Sequence, residues 1–373
     1  MTDPRFPEGG WRPNESQTLL LKAGLLDREP ALAAWREWSR RETIETTDGP
    51  SSQLAGLVWR NLDAHGIDHH TMPKLRGAYR HTWFKNQTLL KNATVVLAAL
   101  REAGIPTLLL KGASLCPLHY RDWGVRGMGD LDVLVPPHRA LEAIAVLRGT
   151  GAEPVCARVE QSIDIQHGES FIHRDGWNLD LHWYSLWRSS SDASLWEHAV
   201  PLEVGGEHTL APGPTHQLIH VCTHGAEYNE SSPIRWVADA WTVLQTSEVD
   251  WELFEREARE RLLTVLLASA LTHLRDGFDA PIPEAVVRRL EATPSPRFER
   301  IGFRATAKPF GPVRTAVKLW ERYRRMSVLQ PPGPRPSFCR AFYGFLSLSW
   351  GVERPWHFPK EALRHFAASR SGT

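Results

Sequence analysis

The sequence predicts an α+β protein in which a small mixed sheet lies between N-terminal and C-terminal helical regions. Three observations support this prediction. Apolar residues recur every three or four positions through the first hundred residues, short apolar runs bounded by turn residues follow, and helical spacing returns after residue 213. A chain of 373 residues is long enough for two or three subdomains. We expect an N-terminal helical subdomain, a sheet-bearing unit and a C-terminal helical region at 1–103, 104–212 and 213–373.

The N-terminal helices are predicted from their apolar stripes. Leu54, Leu57, Val58 and Leu62 show the spacing that turns one face of a helix into a core. The turn residues at 48–50 and 66–68 separate such segments. Helices are therefore expected at 17–26, 31–43, 52–65 and 72–103.

The middle third has the pattern of strands. An apolar run at 107–110 is too short for a helix and is bounded by turn residues, and the strand predicted at 130–135 ends at two prolines. The step Asp175-Gly176 is typical of a hairpin turn. Two further strands are expected on either side of it, at 162–173 and 177–183, and short helices are expected at 112–119 and 138–148.

Helical spacing returns in the last third of the chain. Proline-rich segments at 281–283 and 330–336 divide this region. The predicted helices lie at 215–227, 234–246, 251–275, 284–292, 314–325 and 336–346.

Composition excludes several classes of function. The chain has 44 basic and 43 acidic residues and a formal charge of +1, which argues against a protein-wide surface for nucleic acid or anionic membrane. The four cysteines form no short paired spacing, so we expect neither a disulfide framework nor a zinc ribbon, and a cytoplasmic location. No apolar stretch reaches the roughly 20 residues that a bilayer-crossing helix needs. We therefore expect no membrane partner.

A pair of carboxylates carries the strongest chemical signal. Asp130 and Asp132 are two residues apart on a predicted strand, so they share one face, while Leu131 and Val133 point into the core. An isolated Asp-x-Asp is more often a solvated strand edge. Two such close carboxylates repel unless a cation lies between them, and Mg²⁺ or Mn²⁺ prefers such oxygen ligands. The pair is a candidate metal and catalytic site.

The turn before this strand has features of a phosphate site. A glycine between a strand and a helix, Gly112, allows backbone N–H groups to approach a phosphate. Lys111 and Arg126 offer positive charges, and Ser114 offers a hydroxyl. These four residues are candidates for nucleotide binding.

A third carboxylate is expected from the hairpin. Alternation places Asp180 and His182 on one face of the strand at 177–183, and that strand would pair beside the Asp130 strand. A third carboxylate completes a metal clamp for displacement at phosphorus. Asp180 is therefore a candidate catalytic residue and metal ligand.

These motifs resemble a known family. Residues 108–135 contain Leu-Leu-Lys-Gly-Ala, Tyr120, Arg126 and Gly-Asp-Leu-Asp-Val-Leu-Val, and the pattern is similar to the bacterial family of uncharacterised nucleotidyltransferases in the polymerase-beta-like superfamily. The likeness extends through 218–239 and covers most of 15–250.

The resemblance implies a nucleotidyltransferase palm. It also implies a divalent metal on Asp130, Asp132 and Asp180, and transfer of a nucleoside monophosphate from a nucleoside triphosphate to an acceptor, with release of pyrophosphate. The acceptor stays open between a small molecule, a peptide, a protein and RNA.

The resemblance has two departures. The turn reads Gly112-Ala113 where the superfamily usually has Gly-Ser or Gly-Gly, and the gap to the carboxylates is longer here. The first of them, Ala113, motivates an alternative function. In that alternative the chain is a weak or inactive member that acts as a binding or regulatory protein, antitoxin-like or a partner in a biosynthetic pathway.

A histidine series and a basic cluster complete the candidates. His216, His220 and His224 share one helix face, but the outer pair is about 12 Å apart, too far for a shared zinc ion. We favour an interior helix facing the palm, with a substrate cleft that includes His182, His224 and Asp239. The cluster Arg322, Arg324 and Arg325 is diluted by Glu321, which favours a solvated helix face over a nucleic-acid site.

Overall fold

The structure is a computed structural model that describes residues 11–187, 191–226, 234–306, 312–329, 338–350, 352, 355–357 and 360. The N-terminal helices follow the predicted pattern to within a few residues. The first is fixed by a reciprocal cap, because the Asn14 side chain accepts from Gln17 N at 2.8 Å and Gln17 Oε1 accepts from Asn14 N at 3.0 Å. The helices are α1 (Glu15–Leu25), α2 (Arg28–Arg41), the short α3 (Gly49–Ser52), α4 (Ala55–Ala64) and α5 (Met72–Glu102).

A seven-stranded mixed sheet forms the centre of the protein, in the order β3-β4-β5-β2-β1-β7-β6. The strand β2 pairs antiparallel with β1 and parallel with β5, and β1 pairs parallel with β7. The prediction of a mixed sheet between helical regions is confirmed. The strands are β1 (Leu108–Leu109), β2 (Leu131–Leu134), β3 (Ala152–Pro154), β4 (Gly168–His173), β5 (Asn178–His182), β6 (Val200–Val204) and β7 (Glu207–Ala211).

The sheet differs from the prediction in two respects. The strand expected at 162–173 begins only at Gly168, because a helical turn precedes it. Three strands, β3, β6 and β7, were not predicted. The hairpin of β6 and β7 turns on Gly205 and Gly206, whose φ angles are +61° and +86°. Glycine is favoured there because both central residues of such a two-residue turn require positive φ.

Short helices connect the strands. The predicted helix at 112–119 is a short α-helix followed by a π-helical turn at Cys116–Tyr120, and a 3₁₀ turn at Pro137–Arg139 precedes the next helix. The connecting helices are α6 (Lys111–Leu115), α7 (Ala140–Thr150), α8 (Val159–Ser162) and α9 (Ala193–Glu197).

The C-terminal region is helical as predicted, with two corrections. The helix expected at 251–275 is broken at Leu262, whose φ is +56°, and the helix α15 was not predicted. Residues 227 and 336–337 of the predicted helices lie outside the described residues. The helices are α10 (Pro214–Gly225), α11 (Arg235–Thr246), α12 (Trp251–Glu260), α13 (Thr264–Phe278), α14 (Glu284–Ala292), α15 (Arg297–Thr306), α16 (Pro312–Leu329) and α17 (Phe338–Trp350), followed by a 3₁₀ turn at Pro355–His357.

Two large apolar cores hold the fold together. In one, α5 and α7 cover the sheet face that carries Leu131 and Val133. In the other, the N-terminal helices α1, α2 and α4 share a continuous cluster with the C-terminal helices α10–α14. Because the two helical regions share this core, the division of the chain into three subdomains stays a prediction.

Two further predictions concerned a membrane-spanning helix and a basic surface cluster. No helix in the described part of the chain is long and apolar enough to cross a membrane. The predicted basic cluster on α16 is not an open cationic face, since Tyr323 is buried against Phe345 and the Arg324 guanidinium lies 5.0 Å from the ring centroid of Phe298. Arg322 is half-buried. The side chain of Arg325 lies outside the described residues.

Candidate active site

The parallel pairing of β2 with β5 brings the acidic residues together. Asp132 and Asp180 are partners in register, and Leu134 pairs with His182. The neighbours Leu179 and Leu181 enter the core on the opposite face of the sheet, so alternation turns Asp180 and His182 toward the face of Asp132. One ligand atom from each of Asp132, Asp180 and His182 lies within 4.8 Å of the others. We call these three residues the metal-ligand group.

Asp132 is the most constrained member of this group. Its side chain is buried, and its Oδ1 lies 2.5 Å from Lys111 Nζ and 3.0 Å from His182 Nε2. Burial alone would raise the pKa of Asp132, but the hydrogen bond from His182 and the charge of Lys111 lower it. Asp132 is therefore an anion at neutral pH.

The pKa of Lys111 shifts upward, opposite to the shift of Asp132. Burial alone would lower its pKa, but the negative charge of Asp132 outweighs burial and raises the pKa. Asp130 and Asp180 act in the same sense. Lys111 is thus a cation held among carboxylates.

Asp130 and Asp180 lie at the edges of the group. Asp130 precedes β2 in a bend and is half-buried, and burial together with the negative charge of Asp132 raises its pKa. Asp180 is half-buried and accepts a hydrogen bond from Ser170 Oγ at 2.7 Å. The sequence predicted Asp130 as one of the three ligands, but the metal-ligand group contains His182 instead. Among the described residues, no other set of three or more such side chains comes this close.

The turn between β1 and α6 differs from the predicted glycine turn. Lys111, not Gly112, has the left-handed conformation, with φ of +48°. Strained backbone of this kind in a residue with a side chain costs about 1–3 kcal/mol and clusters at functional sites. A Cβ on Gly112 would lie 2.3 Å from Arg126 Nη1 and 2.5 Å from Met128 Cγ. The glycine is therefore needed for the close approach of these side chains.

Two neighbours of Gly112, Ala113 and Ser114, are buried in the protein interior. The Ser114 hydroxyl is fully buried and donates to Lys111 O at 3.1 Å and Gln217 Oε1 at 3.3 Å. Because these contacts already engage the hydroxyl, they argue against the expected contact of Ser114 with phosphate. Ala113 lies in the core on the sheet side. Because position 113 faces the core, alanine in place of the usual serine or glycine removes no polar group that could contact a ligand.

Arg126 and Asp239 neutralise each other. Arg126 Nε lies 2.9 Å from Asp239 Oδ1, and Arg126 Nη2 lies 3.0 Å from Asp239 Oδ2. The Tyr120 hydroxyl also donates to Asp239 Oδ1, at 2.9 Å. Both charged groups are buried. Burial opposes the charge of Arg126, but Asp239 raises the pKa of Arg126. Arg126 was expected to bind phosphate and Asp239 to line a substrate cleft. Their pairing with each other conflicts with both roles.

Arg235 was missed by sequence reasoning. It is half-buried and donates to a backbone carbonyl, Gly127 O, at 2.7 Å, and no carboxylate of the described residues forms an ion pair with it. Burial and the positive charge of Arg126 lower the pKa of Arg235. The negative charge of Asp130 acts in the opposite direction. Its position four residues before Asp239 on one helix face was a signal available in the sequence.

His224 lies next to His220 in the last turn of α10. Its ring centroid is 4.6 Å from that of His220, and burial lowers the pKa of His224 well below its ordinary value, as do the positive charges of neighbouring groups, including Lys111. His216 instead contacts Ser194 Oγ, with its Nε2 at 3.2 Å. The three histidines therefore do not share one ligand.

The side chains present fit a divalent cation. Two carboxylates and an imidazole within 4.8 Å of one another are a donor set that binds such ions. The hydrogen bond from His182 to Asp132 is the kind of contact that orients a ligating carboxylate. Lys111 adds the positive charge that a phosphate needs. The site can therefore hold a metal ion beside a phosphate group.

Comparisons with known proteins give one family match and two similar solved structures. A family model described as uncharacterised nucleotidyltransferase matches residues 51–279. The solved structure of the antibiotic-resistance factor ANT(2'')-Ia is 12% identical, with 51% of this chain and 95% of that chain covered and a TM-score of 0.34. An antigenic nucleotidyltransferase-like protein from Paracoccidioides brasiliensis is 16% identical, with 57% and 96% covered and a TM-score of 0.38. No curated protein matches the chain.

Proposed function

The chain belongs to the family of uncharacterised nucleotidyltransferases, and from this premise we propose that it transfers a nucleoside monophosphate from a nucleoside triphosphate to an acceptor hydroxyl. The observation that supports the proposal most directly is the register of Asp132 against Asp180, with Lys111 paired to Asp132. Two carboxylates on adjacent strands, with a lysine paired to one of them, suit a metal-bound triphosphate.

Each residue has a distinct role in the proposal. Asp130, Asp132 and Asp180 would hold Mg²⁺ or Mn²⁺. His182, the third member of the metal-ligand group, has its Nε2 hydrogen-bonded to Asp132 and so keeps that carboxylate oriented instead of binding the ion. The ion, when bound, supplies neutralisation of the phosphate charge. Lys111 and Arg235 attract the phosphate oxygens, in place of the expected Arg126 and Ser114. Gly112 allows Arg126 and Met128 to approach the turn.

The reaction is a displacement at the α-phosphorus. A bond forms between the acceptor oxygen and this phosphorus, and the bond to the oxygen that bridges the α- and β-phosphorus breaks, so that pyrophosphate leaves. Asp180 accepts the proton of the acceptor hydroxyl. Its contact with Ser170 uses Oδ1 and leaves Oδ2 for this proton.

The alternative of an inactive binding or regulatory protein rested on Ala113. Because Ala113 is buried in the core, the departure at this position is a weak reason to expect loss of turnover. We therefore favour the enzyme. The acceptor stays open between a small molecule, a peptide, a protein and RNA.

The proposal is tested by ligand binding. We expect calorimetry to show binding of an α,β-methylene nucleoside triphosphate with Mg²⁺, because this analogue keeps the triphosphate and cannot be cleaved. The substitutions Asp132→Asn and Asp180→Asn should each weaken binding by about 10- to 100-fold, by analogy with the loss of groups that orient a metal. Asp175→Asn, in the exposed hairpin turn, is the matched control and should bind like the wild type.

Two results would contradict the proposal. One is the absence of binding by the wild type at millimolar analogue, and the other is wild-type affinity in Asp132→Asn. Turnover is measured as pyrophosphate release from each of the four triphosphates with candidate acceptors. Labelling of RNA by a radiolabelled triphosphate would identify RNA as the acceptor.

A further inference from the structure

One stripe of α10 carries polar side chains near the turn at Lys111, whose charge acts on the two histidines of the stripe. Gln217, His220 and His224 have the spacing of one helix face. Gln217 contacts Ser114 on α6, the helix that begins at Lys111. These three residues are called the α10 polar stripe.

Each member of the α10 polar stripe has a buried nitrogen without a hydrogen bond to any described residue. These atoms are Gln217 Nε2, His220 Nε2 and His224 Nε2. The side chains of Gln217 and His220 are at least 98% buried, with exposures of 0% and 2%. An unpaired buried polar atom is costly, so several on one stripe beside a charged site indicate a place for a polar ligand.

The two histidines are uncharged at neutral pH. Burial and the positive charge of Lys111 lower the pKa of His220 to about 3, and no carboxylate forms an ion pair with either ring among the described residues. A neutral imidazole has one donor and one acceptor nitrogen. Such a surface suits an uncharged polar group and gives little attraction to phosphate.

The site is thus divided into a charged part and a neutral part. The charged part contains the carboxylates and Lys111, and the neutral part is the α10 polar stripe beside it. A nucleoside triphosphate has the same division, because an anionic chain is joined to an uncharged sugar and base. We propose that the α10 polar stripe binds the nucleoside part of the nucleotide through hydrogen bonds from His220 and His224. This inference rests on the proposed function.

The test compares two probes in the presence of Mg²⁺. One is the tightest-binding α,β-methylene nucleoside triphosphate, and the other is inorganic tripolyphosphate, which has no nucleoside. In His220→Leu and His224→Leu, we expect the dissociation constant of the nucleotide analogue to rise about tenfold. The dissociation constant of tripolyphosphate should change less than twofold. His224→Gln keeps a hydrogen-bonding group and should recover part of the affinity.

His273→Leu is a matched control. His273 also has a buried Nε2 without a described partner, but it packs against Trp11 and Trp236. Leucine at any of these positions removes an unpaired buried polar group, so the variants are expected to fold. His273→Leu should leave both dissociation constants unchanged.

Distinct results overturn the inference. These are equal weakening of both probes, no weakening of either probe in the His220 and His224 variants, or wild-type protein that binds tripolyphosphate as tightly as the analogue. With any of these results, the proposed function is still supported as long as the wild type binds the nucleoside triphosphate analogue. If the wild type binds neither probe, the proposed function fails and the inference fails with it.

Discussion

Lys111 Nζ lies 2.5 Å from Oδ1 of Asp132, a carboxylate of the metal-ligand group. A lysine therefore neutralises the carboxylate that would bind a cation. In water this ion pair would contribute little, but Asp132 is buried and the Lys111 side chain is only 30% exposed, so the pair is partly shielded from solvent. Metal and lysine compete for one oxygen, while a bound phosphate would attract both.

Because of this competition, the substitution Lys111→Met should change the affinities for two ligands in opposite directions. Without nucleotide, Mn²⁺ should bind more tightly than in the wild type, because the competing ammonium is gone. Tripolyphosphate should bind about tenfold more weakly, since a hydrogen bond to a charged group contributes about 1.5–3 kcal/mol. Electron paramagnetic resonance measures free Mn²⁺, and calorimetry measures tripolyphosphate. Lys91→Met, at an exposed position on α5, is the control. Changes of the same sign for both ligands would contradict the competition.

Gly112→Ala is expected to destabilise the fold. The new Cβ would lie 2.3 Å from Arg126 Nη1, so the guanidinium or the backbone must move. Overpacking of this kind costs about 1–3 kcal/mol. Urea unfolding gives the change in the free energy of unfolding. Gly129→Ala is the control, because no atom lies within 4 Å of its added Cβ. An equal effect of the two substitutions would show that the contact with Arg126 is unimportant.

Asp239→Ala should cost about 3–5 kcal/mol of unfolding free energy, because it leaves the buried Arg126 guanidinium without its carboxylate. The double variant Arg126→Met with Asp239→Leu should recover much of this loss, since no buried charge remains. Asp276→Ala, which breaks the exposed pair with Arg275, should cost less than about 1 kcal/mol. A loss in the double variant as large as in Asp239→Ala would contradict this account.

Arg235→Gln should weaken tripolyphosphate binding while changing stability little. The substitution removes a charge that forms no ion pair in the part of the chain that the structure describes. It keeps a donor for Gly127 O, to which Arg235 donates at 2.7 Å. We expect about a tenfold rise in the dissociation constant. Calorimetry with Mg²⁺ measures it. Arg288→Gln, on the exposed side of α14, is the matched control, and equal binding by Arg235→Gln and the wild type would exclude the role.

Stability should fall as the pH decreases below about 6.5, the ordinary pKa of histidine. Burial lowers the pKa of His119 to about 4, of His220 to about 3 and of His273 to about 4. The unfolded chain therefore binds more protons than the folded protein between these values and 6.5, and acid favours unfolding.

The expected loss is about 2 kcal/mol for each of these histidines between pH 7.5 and pH 5. Most carboxylates are still ionised in the unfolded chain at pH 5, so they contribute little to this window. Urea unfolding at the two pH values measures the loss. His273→Leu should reduce it by one histidine's share, and a loss that does not depend on His273 would contradict the assignment.

Local periodicity was sufficient to predict which face each residue of a strand occupies. Asp132 and Val133 lie on opposite faces of β2, and Asp180 and Leu181 on opposite faces of β5, as alternation requires. The four long N-terminal helices were predicted for the same reason, because an amphipathic stripe depends on neighbours three or four positions away. The candidate carboxylates followed from these short-range patterns.

The partners of these side chains were not predictable from short-range patterns. Arg126 and Asp239 are 113 residues apart and Asp132 and His182 are 50 residues apart, and their contacts depend on how α11 and β5 dock. The left-handed turn at Lys111 and the need for a glycine at position 112 also depend on side chains packed from elsewhere. The sequence by itself determined the chemical types and faces of the site. The tertiary structure decided which charges neutralise one another, because pairing across the core is set by the order of strands and the packing of helices.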